Sequence, residues 1–112
     1  MNLIGNKGFT NFFLGKPIKK YLIEHCKTNE VVVNGYKMLL DENDLMHLSL
    51  FDYDPIETEI VKTNVKKNDI VIDVGANIGY YTLLMAKNSA SVFSYEPEPQ
   101  NFDLLKKNVI LN

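Results

Sequence analysis

Ile70-Val71-Ile72-Asp73-Val74-Gly75-Ala76-Asn77-Ile78-Gly79-Tyr80-Tyr81-Thr82 is the stretch on which the reading of this chain turns. Its opening run, Ile70 to Val74, is continuous and β-branched, the pattern of a strand buried on both faces of a parallel sheet. Gly75-Ala76-Asn77-Ile78-Gly79 then supplies a turn. Tyr80 to Lys87 follows with helical composition, pairing Tyr81 with Met85 and Tyr80 with Leu84 at i, i+4. Downstream, Ser91-Val92-Phe93-Ser94-Tyr95 reads as a second strand broken by Pro97 and Pro99. Phe102, Leu105 and Val109 mark one face of a last helix. Strand, helix, strand, helix in that order predicts an α/β fold with a parallel sheet and right-handed crossovers.

Upstream, Asp54 and Pro55 mark a helix start, with Glu57 three residues after the cap. Ile56, Ile60, Val61 and Val65 form its expected apolar side, and Lys66-Lys67-Asn68 its end. Asn34-Gly35 between Val31-Val32-Val33 and Tyr36-Lys37-Met38-Leu39-Leu40 predicts a β-hairpin, because both turn positions need positive φ. Leu48 to Phe51 reads as a short extended piece. Pro17 with Ile18, Leu22 and Cys26 predicts a short amphipathic helix, preceded by an aromatic cluster of Phe9, Phe12 and Phe13 that suits packing, a lid or a dimer contact.

The chain's 112 residues allow one small domain. Its 46% hydrophobic and 23% charged content excludes disordered and collagen-like classes. A net charge of −2 leaves no basic excess for phosphates, so nucleic acid is not an implied general partner. The single cysteine, Cys26, has no internal disulfide partner, which fits a reducing, cytoplasmic setting. No apolar run reaches the roughly 18 residues of a membrane span.

Ligands of open parallel sheets bind beyond the carboxyl ends of the strands. Asp73 to Gly79 is the first such end, and three ligand classes compete for it. A P-loop needs a lysine after its last glycine, and Tyr80 stands there instead. A dinucleotide loop needs Gly-x-Gly-x-x-Gly; counted from Gly75, the second and third glycines are Asn77 and Tyr80, which disfavours NAD and FAD. S-adenosylmethionine carries no pyrophosphate and does not impose that demand. It is served by an acid at the strand end, a glycine turn and a helix start whose N–H groups face an anionic group. Glu96 ends the second strand 21 positions after Gly75, where a carboxylate offers two acceptor oxygens to two ribose hydroxyls. Pro97 restricts Glu96 to extended backbone. Glu98 is a less specific acid, read as solvent-exposed.

The motif from Val71 to Thr82, with Tyr95-Glu96-Pro97-Glu98-Pro99-Gln100-Asn101-Phe102 and Leu105-Lys106-Lys107-Asn108, resembles the FkbM family of S-adenosylmethionine-dependent methyltransferases. Tyr53-Asp54-Pro55-Ile56-Glu57-Thr58 resembles that family's lead-in. The resemblance covers roughly residues 45–112. It implies a class I, Rossmann-like methyltransferase with S-adenosylmethionine as cofactor and a hydroxyl of a sugar or other small molecule as acceptor. By it, Asp73, Gly75 and Gly79 line the methionine part, with Ala76 and Asn77 inside the loop, and Glu96, set by Pro97, holds the ribose. Tyr80, Tyr81 and Thr82 are expected to serve helix packing, with one hydroxyl near the cofactor carboxylate as the alternative.

The expected organisation is a helix and β-hairpin extension over residues 1–50 and the N-terminal part of the methyltransferase domain over 51–112, truncated after its second parallel strand. The later strands of that family would carry the acceptor pocket and any base, so no catalytic residue is assigned. A non-catalytic remnant that needs a partner chain, or self-association, to cover the incomplete sheet is the alternative. His25 and His47 lie away from the strand tips and, with Cys26, have no metal-ligand spacing, so no metal is expected. Asp52, Asp54 and Glu57 read as capping and a solvated face, and Lys16, Lys19 and Lys20 as a solvated helix face.

Overall fold

The computed structural model describes residues 29–43, 45, 46, 48, 53–88 and 91–112. The helix expected from Pro17, the Phe9, Phe12 and Phe13 cluster, Asp52, His25, Cys26 and His47 lie outside the described residues, as does most of the extended piece expected at Leu48 to Phe51. Strands β1 (Glu30–Val33) and β2 (Tyr36–Leu39) form an antiparallel hairpin, and α1 (Pro55–Asn64) follows. Then come β3 (Ile70–Val74), α2 (Tyr80–Ala86), β4 (Ser91–Tyr95) and α3 (Pro99–Leu111). The chain is α/β, and β3 pairs with β4 in parallel, placing Asp73 beside Ser94 and Val74 beside Tyr95.

The hairpin turn follows from its residues. Asn34 and Gly35 take φ values of 52° and 86°, the pair of positive angles a tight hairpin requires. Asn34 also donates from Nδ2 to the Tyr80 hydroxyl at 3.2 Å and accepts from Lys62 Nζ at 3.1 Å, which ties the turn to α2 and α1.

Three expectations about faces are corrected. Helix α1 starts at Pro55, but Asp54 sits in the left-handed region (φ 37°) and its side chain makes no cap. The Asp54 carboxylate lies instead beside the Tyr53 phenol, whose pKa is raised by burial first and by Asp54 second. Ile56 and Ile60 point outward at 71% and 54% exposure, while Thr58 is buried and Val61 and Val65 are half-buried. The inward stripe is rotated because the Thr58 hydroxyl is drawn in by the Tyr53 carbonyl (3.1 Å) and the Tyr80 hydroxyl (2.9 Å). The helix also ends at Asn64, two residues before Lys66. There Asp69 Oδ2 accepts the Lys66 N–H at 2.8 Å and starts a separate turn.

Helix α3 shows the same rotation. Leu105 and Asn108 are buried, whereas Phe102 and Val109 remain about half exposed. Strand β3 is not buried on both faces. Ile70, Ile72 and Val74 are 75%, 65% and 81% exposed and share an open apolar face with Phe93 and Tyr95. Only Val71 and Asp73 of β3, with Val92 and Ser94 of β4, turn toward the helices, because the described helices all lie on that side.

The core joins the hairpin to the parallel unit. Met38, Leu40, Leu48, Ile78, Tyr80 and Leu83 are buried against one another, with Val31, Val33, Tyr53 and Leu104 around them. Each such apolar side chain contributes about 1.5–3 kcal/mol when fully buried. Helix α2 is central: Tyr80, Thr82, Leu83, Leu84 and Met85 are all buried, since the sheet covers one side and the hairpin and α1 the other. No described helix is long and apolar enough to cross a membrane.

Candidate active site

The site forms where β3 and β4 end side by side. The Tyr95 carbonyl accepts the N–H groups of Gly75 (2.9 Å) and Ala76 (3.1 Å), which folds the chain sharply across the tip of β4. Gly75 makes this turn at φ 80°, Asn77 at 50° and Gly79 at 97°. Three left-handed residues within five explain the composition. Glycine adopts that region without a side-chain penalty, and asparagine tolerates it better than most residues.

Glu96 sits at the centre of this arrangement. Its Oε2 accepts the Asn77 N–H at 2.8 Å and its Oε1 accepts the Glu98 N–H at 2.9 Å. One carboxylate thus fastens the glycine loop to the tip of β4 and also shapes the bend into α3. Both oxygens keep lone pairs, because a carboxylate accepts at about four positions. Asp73 is buried, and its Oδ2 accepts the Thr82 hydroxyl at 2.6 Å. Thr82 also bonds Ser94 Oγ at 2.8 Å, so the chain β3–α2–β4 is closed by a buried polar bridge. The amides of Gly75, Ala76, Asn77 and Gly79 are all engaged inside the fold. This narrows the expected set of N–H groups facing a ligand.

The two glycines have different surroundings. A Cβ on Gly75 would meet nothing within 4 Å, so this glycine borders open space at the strand ends. A Cβ on Gly79 would lie 2.7 Å from Leu105 Cδ1, so this glycine also makes room for the packing of α3. Gly75→Ala should cost about 1–2 kcal/mol in chemical denaturation, the left-handed penalty alone. Its loss of cofactor affinity should be larger, because the new methyl group enters the open space. A stability loss equal to or greater than the affinity loss would overturn that assignment.

The tyrosines after the loop face inward. The Tyr80 hydroxyl donates to the Tyr53 carbonyl at 3.3 Å, in addition to its contacts with Thr58 and Asn34. Tyr53, Tyr80 and Tyr81 pack edge to face or tilted, with ring centroids 5.0–6.1 Å apart. The Tyr81 Oη is buried without a hydrogen-bond partner among the described residues. Burial, then Asp54, pushes its pKa up to about 12, while the nearby Thr58 hydroxyl, already bonded to Tyr53 and Tyr80, draws it slightly down. Packing is the role the sequence assigns to these residues; Tyr80 and Thr82 are buried, and Tyr81 packs against the core. Asn108 escaped sequence reasoning: it is fully buried and donates to the Ile78 carbonyl of the loop at 2.8 Å. Its signal was only its place three residues after Leu105. A groove of about 650 Å³ lies elsewhere, between α2, β4 and α3, and includes Leu83, Val92, Phe102 and Val109.

Comparison with known proteins identifies the type of domain. The family model described as the TRM5/TYW2 methyltransferase domain matches residues 24–112. The chain belongs to this family. The methyl donor that a TRM5/TYW2-type methyltransferase domain implies is S-adenosylmethionine. Among curated proteins, the chain is 29% identical over 79 residues to a probable ribosomal RNA small subunit methyltransferase A of Methanosphaera stadtmanae, covering 70% of this chain and 29% of that protein. It is 37% identical over 51 residues to methyltransferase sdnD of Sordaria araneosa, covering 44% of this chain and 20% of that protein. The chain therefore spans less than a third of the length of either relative. The comparisons agree with the motif resemblance at the level of a methyltransferase domain.

Proposed function

We propose that this chain is the cofactor-binding part of a methyltransferase that moves a methyl group from S-adenosylmethionine to a hydroxyl of a sugar or small-molecule acceptor, as in FkbM-type enzymes. The observation that carries the reading is the Glu96 carboxylate, held by the Asn77 and Glu98 amides at the tip of β4 beside the open flank of Gly75. Asp73, Gly75, Ala76, Asn77 and Gly79 line the methionine part in this reading. Glu96 accepts from the ribose hydroxyls, and Pro97 keeps its backbone extended. The residues fit such a group: Gly75 leaves space for it, and Glu96 retains acceptor capacity.

Bound there, S-adenosylmethionine supplies an electrophilic methyl group on a sulfonium. The chain's own residues act by orientation. Glu96 fixes one end, the loop fixes the other, and the buried Asp73–Thr82–Ser94 bridge holds the two strand tips in register beneath them. Alignment and exclusion of water are the main contributions a protein makes to such an in-line displacement.

The test is calorimetry with S-adenosylhomocysteine and with NADH. Binding of the former without the latter is expected; the reverse would replace this reading with a dinucleotide one. A second reading, an RNA acceptor, is supported by the ribosomal RNA named for one relative. The net charge of −2 favours the small acceptor. Methyl incorporation into an RNA oligonucleotide but not into hydroxyl compounds would reverse that order.

The reading extends to partners and setting. The open face of Ile70, Ile72, Val74, Phe93 and Tyr95 is of the kind that further polypeptide covers, either of the same protein or of a partner chain. That face also supports the alternative of a non-catalytic fragment that functions only once covered. A reducing, cytoplasmic setting suits the lone Cys26.

A further inference from the structure

Asn108 of α3 and Asn112, the C-cap of that helix, stand along the outer edge of β2 where a neighbouring strand would otherwise pair. Asn108 Oδ1 accepts the Leu39 N–H at 2.7 Å, and its Nδ2 donates to the Leu39 carbonyl at 3.0 Å. Asn112 Oδ1 accepts the Lys37 N–H at 3.0 Å, and its Nδ2 donates to the Lys37 carbonyl at 2.8 Å. Each carboxamide thus pairs with both backbone groups of one residue. The spacings agree: four residues of helix rise about 6.0 Å and two residues of antiparallel strand about 6.8 Å.

The two rungs differ in their third bond. Asn112 spends its second N–H on its own helix, at the Asn108 carbonyl, 2.8 Å away. Asn108 spends its second N–H on the Ile78 carbonyl inside the glycine loop. Ile78 is buried between Asn77, which Glu96 holds, and Gly79, over which Leu105 packs. A single fully buried carboxamide therefore connects the hairpin edge to the loop.

We propose that Asn108 is a positioning residue for the glycine loop, and that order in the loop and docking of the hairpin rise together through it. The cofactor-affinity part of this inference rests on the function proposed above; the coupling itself does not.

Amide hydrogen exchange on the full chain tests it, comparing Asn108→Ala with Asn112→Ala. Both variants should speed exchange at their strand partners, Leu39 and Lys37, by tenfold or more. Only Asn108→Ala should also speed exchange at Asn77 and Gly79 and weaken S-adenosylhomocysteine binding by at least tenfold. Asn112→Ala should leave that affinity within twofold. Loop amides unchanged by Asn108→Ala, or an affinity loss as large in Asn112→Ala, would overturn the proposal. If the unmodified chain binds no S-adenosylhomocysteine, the cofactor reading falls and the exchange results still decide the coupling. If Asn108→Ala does not fold, the unmodified chain decides it. Leu39 and Gly79 should then open together as denaturant is raised, with Lys37 opening earlier. Leu39 opening with Lys37 and apart from Gly79 would overturn the proposal.

Discussion

Replacing Glu96 by alanine should lower the affinity for S-adenosylhomocysteine by about 100-fold or more. The residue accepts two backbone N–H groups, and hydrogen bonds to a charged group contribute about 1.5–3 kcal/mol each. Removing the carboxylate frees Asn77 from the tip of β4 and deletes the acceptor for the ribose together. At about 1.4 kcal/mol per tenfold change, loss of the equivalent of two such bonds gives the stated factor. Glu96→Gln separates the two contributions. Its amide has one acceptor oxygen and one donor nitrogen, so either Asn77 or Glu98 would face another donor. An intermediate loss of about tenfold is expected. Calorimetry with both variants measures this, and an alanine variant within threefold of the parent would remove Glu96 from the site.

Gly79→Ala should destabilise the fold by about 2–5 kcal/mol. The left-handed backbone at φ 97° contributes about 1–2 kcal/mol for any residue with a Cβ. The new methyl would also stand 2.7 Å from Leu105 Cδ1, and overpacking of this kind costs about 1–3 kcal/mol. Leu105 is only 3% exposed and has little room to retreat. Such a loss is a large share of the roughly 5–15 kcal/mol that holds a domain folded. The two causes are separable by a double-mutant cycle with Leu105→Val in chemical denaturation. The shorter side chain should recover the contact part and leave the backbone part. Full additivity of the two substitutions would mean that Leu105 is not the obstacle.

Much of this fold was legible locally. The Asn34-Gly35 pair required a hairpin turn, and the β-branched run from Ile70 to Val74 required a strand. The candidate site was legible in outline, because an acid at the end of one strand and a glycine turn at the end of its neighbour meet wherever the two strands pair in parallel. The sequence had no means of showing that Glu96 binds Asn77, since that contact depends on register between segments 19 positions apart.

Helix faces were less legible. Periodicity assigns apolar residues inward, so it chose Ile56 and Ile60 in α1 and Phe102 and Val109 in α3. The structure instead buries Thr58 and Asn108. A polar side chain is tolerated in the interior when its hydrogen bonds are met. The partners that meet them here are the Tyr80 hydroxyl for Thr58, and Leu39 and Ile78 for Asn108. Those partners lie 22 to 69 positions away, and no local pattern encodes them.

By itself, then, the sequence determined the order of the elements, the turns that glycine and asparagine permit, and the chemical type of the loop. Tertiary structure alone decided which faces turn inward, which amides the loop keeps for itself, and that one carboxamide of α3 joins hairpin and loop. Backbone preference and side-chain period act over a few residues, whereas satisfaction of buried polar groups is settled only when distant segments meet.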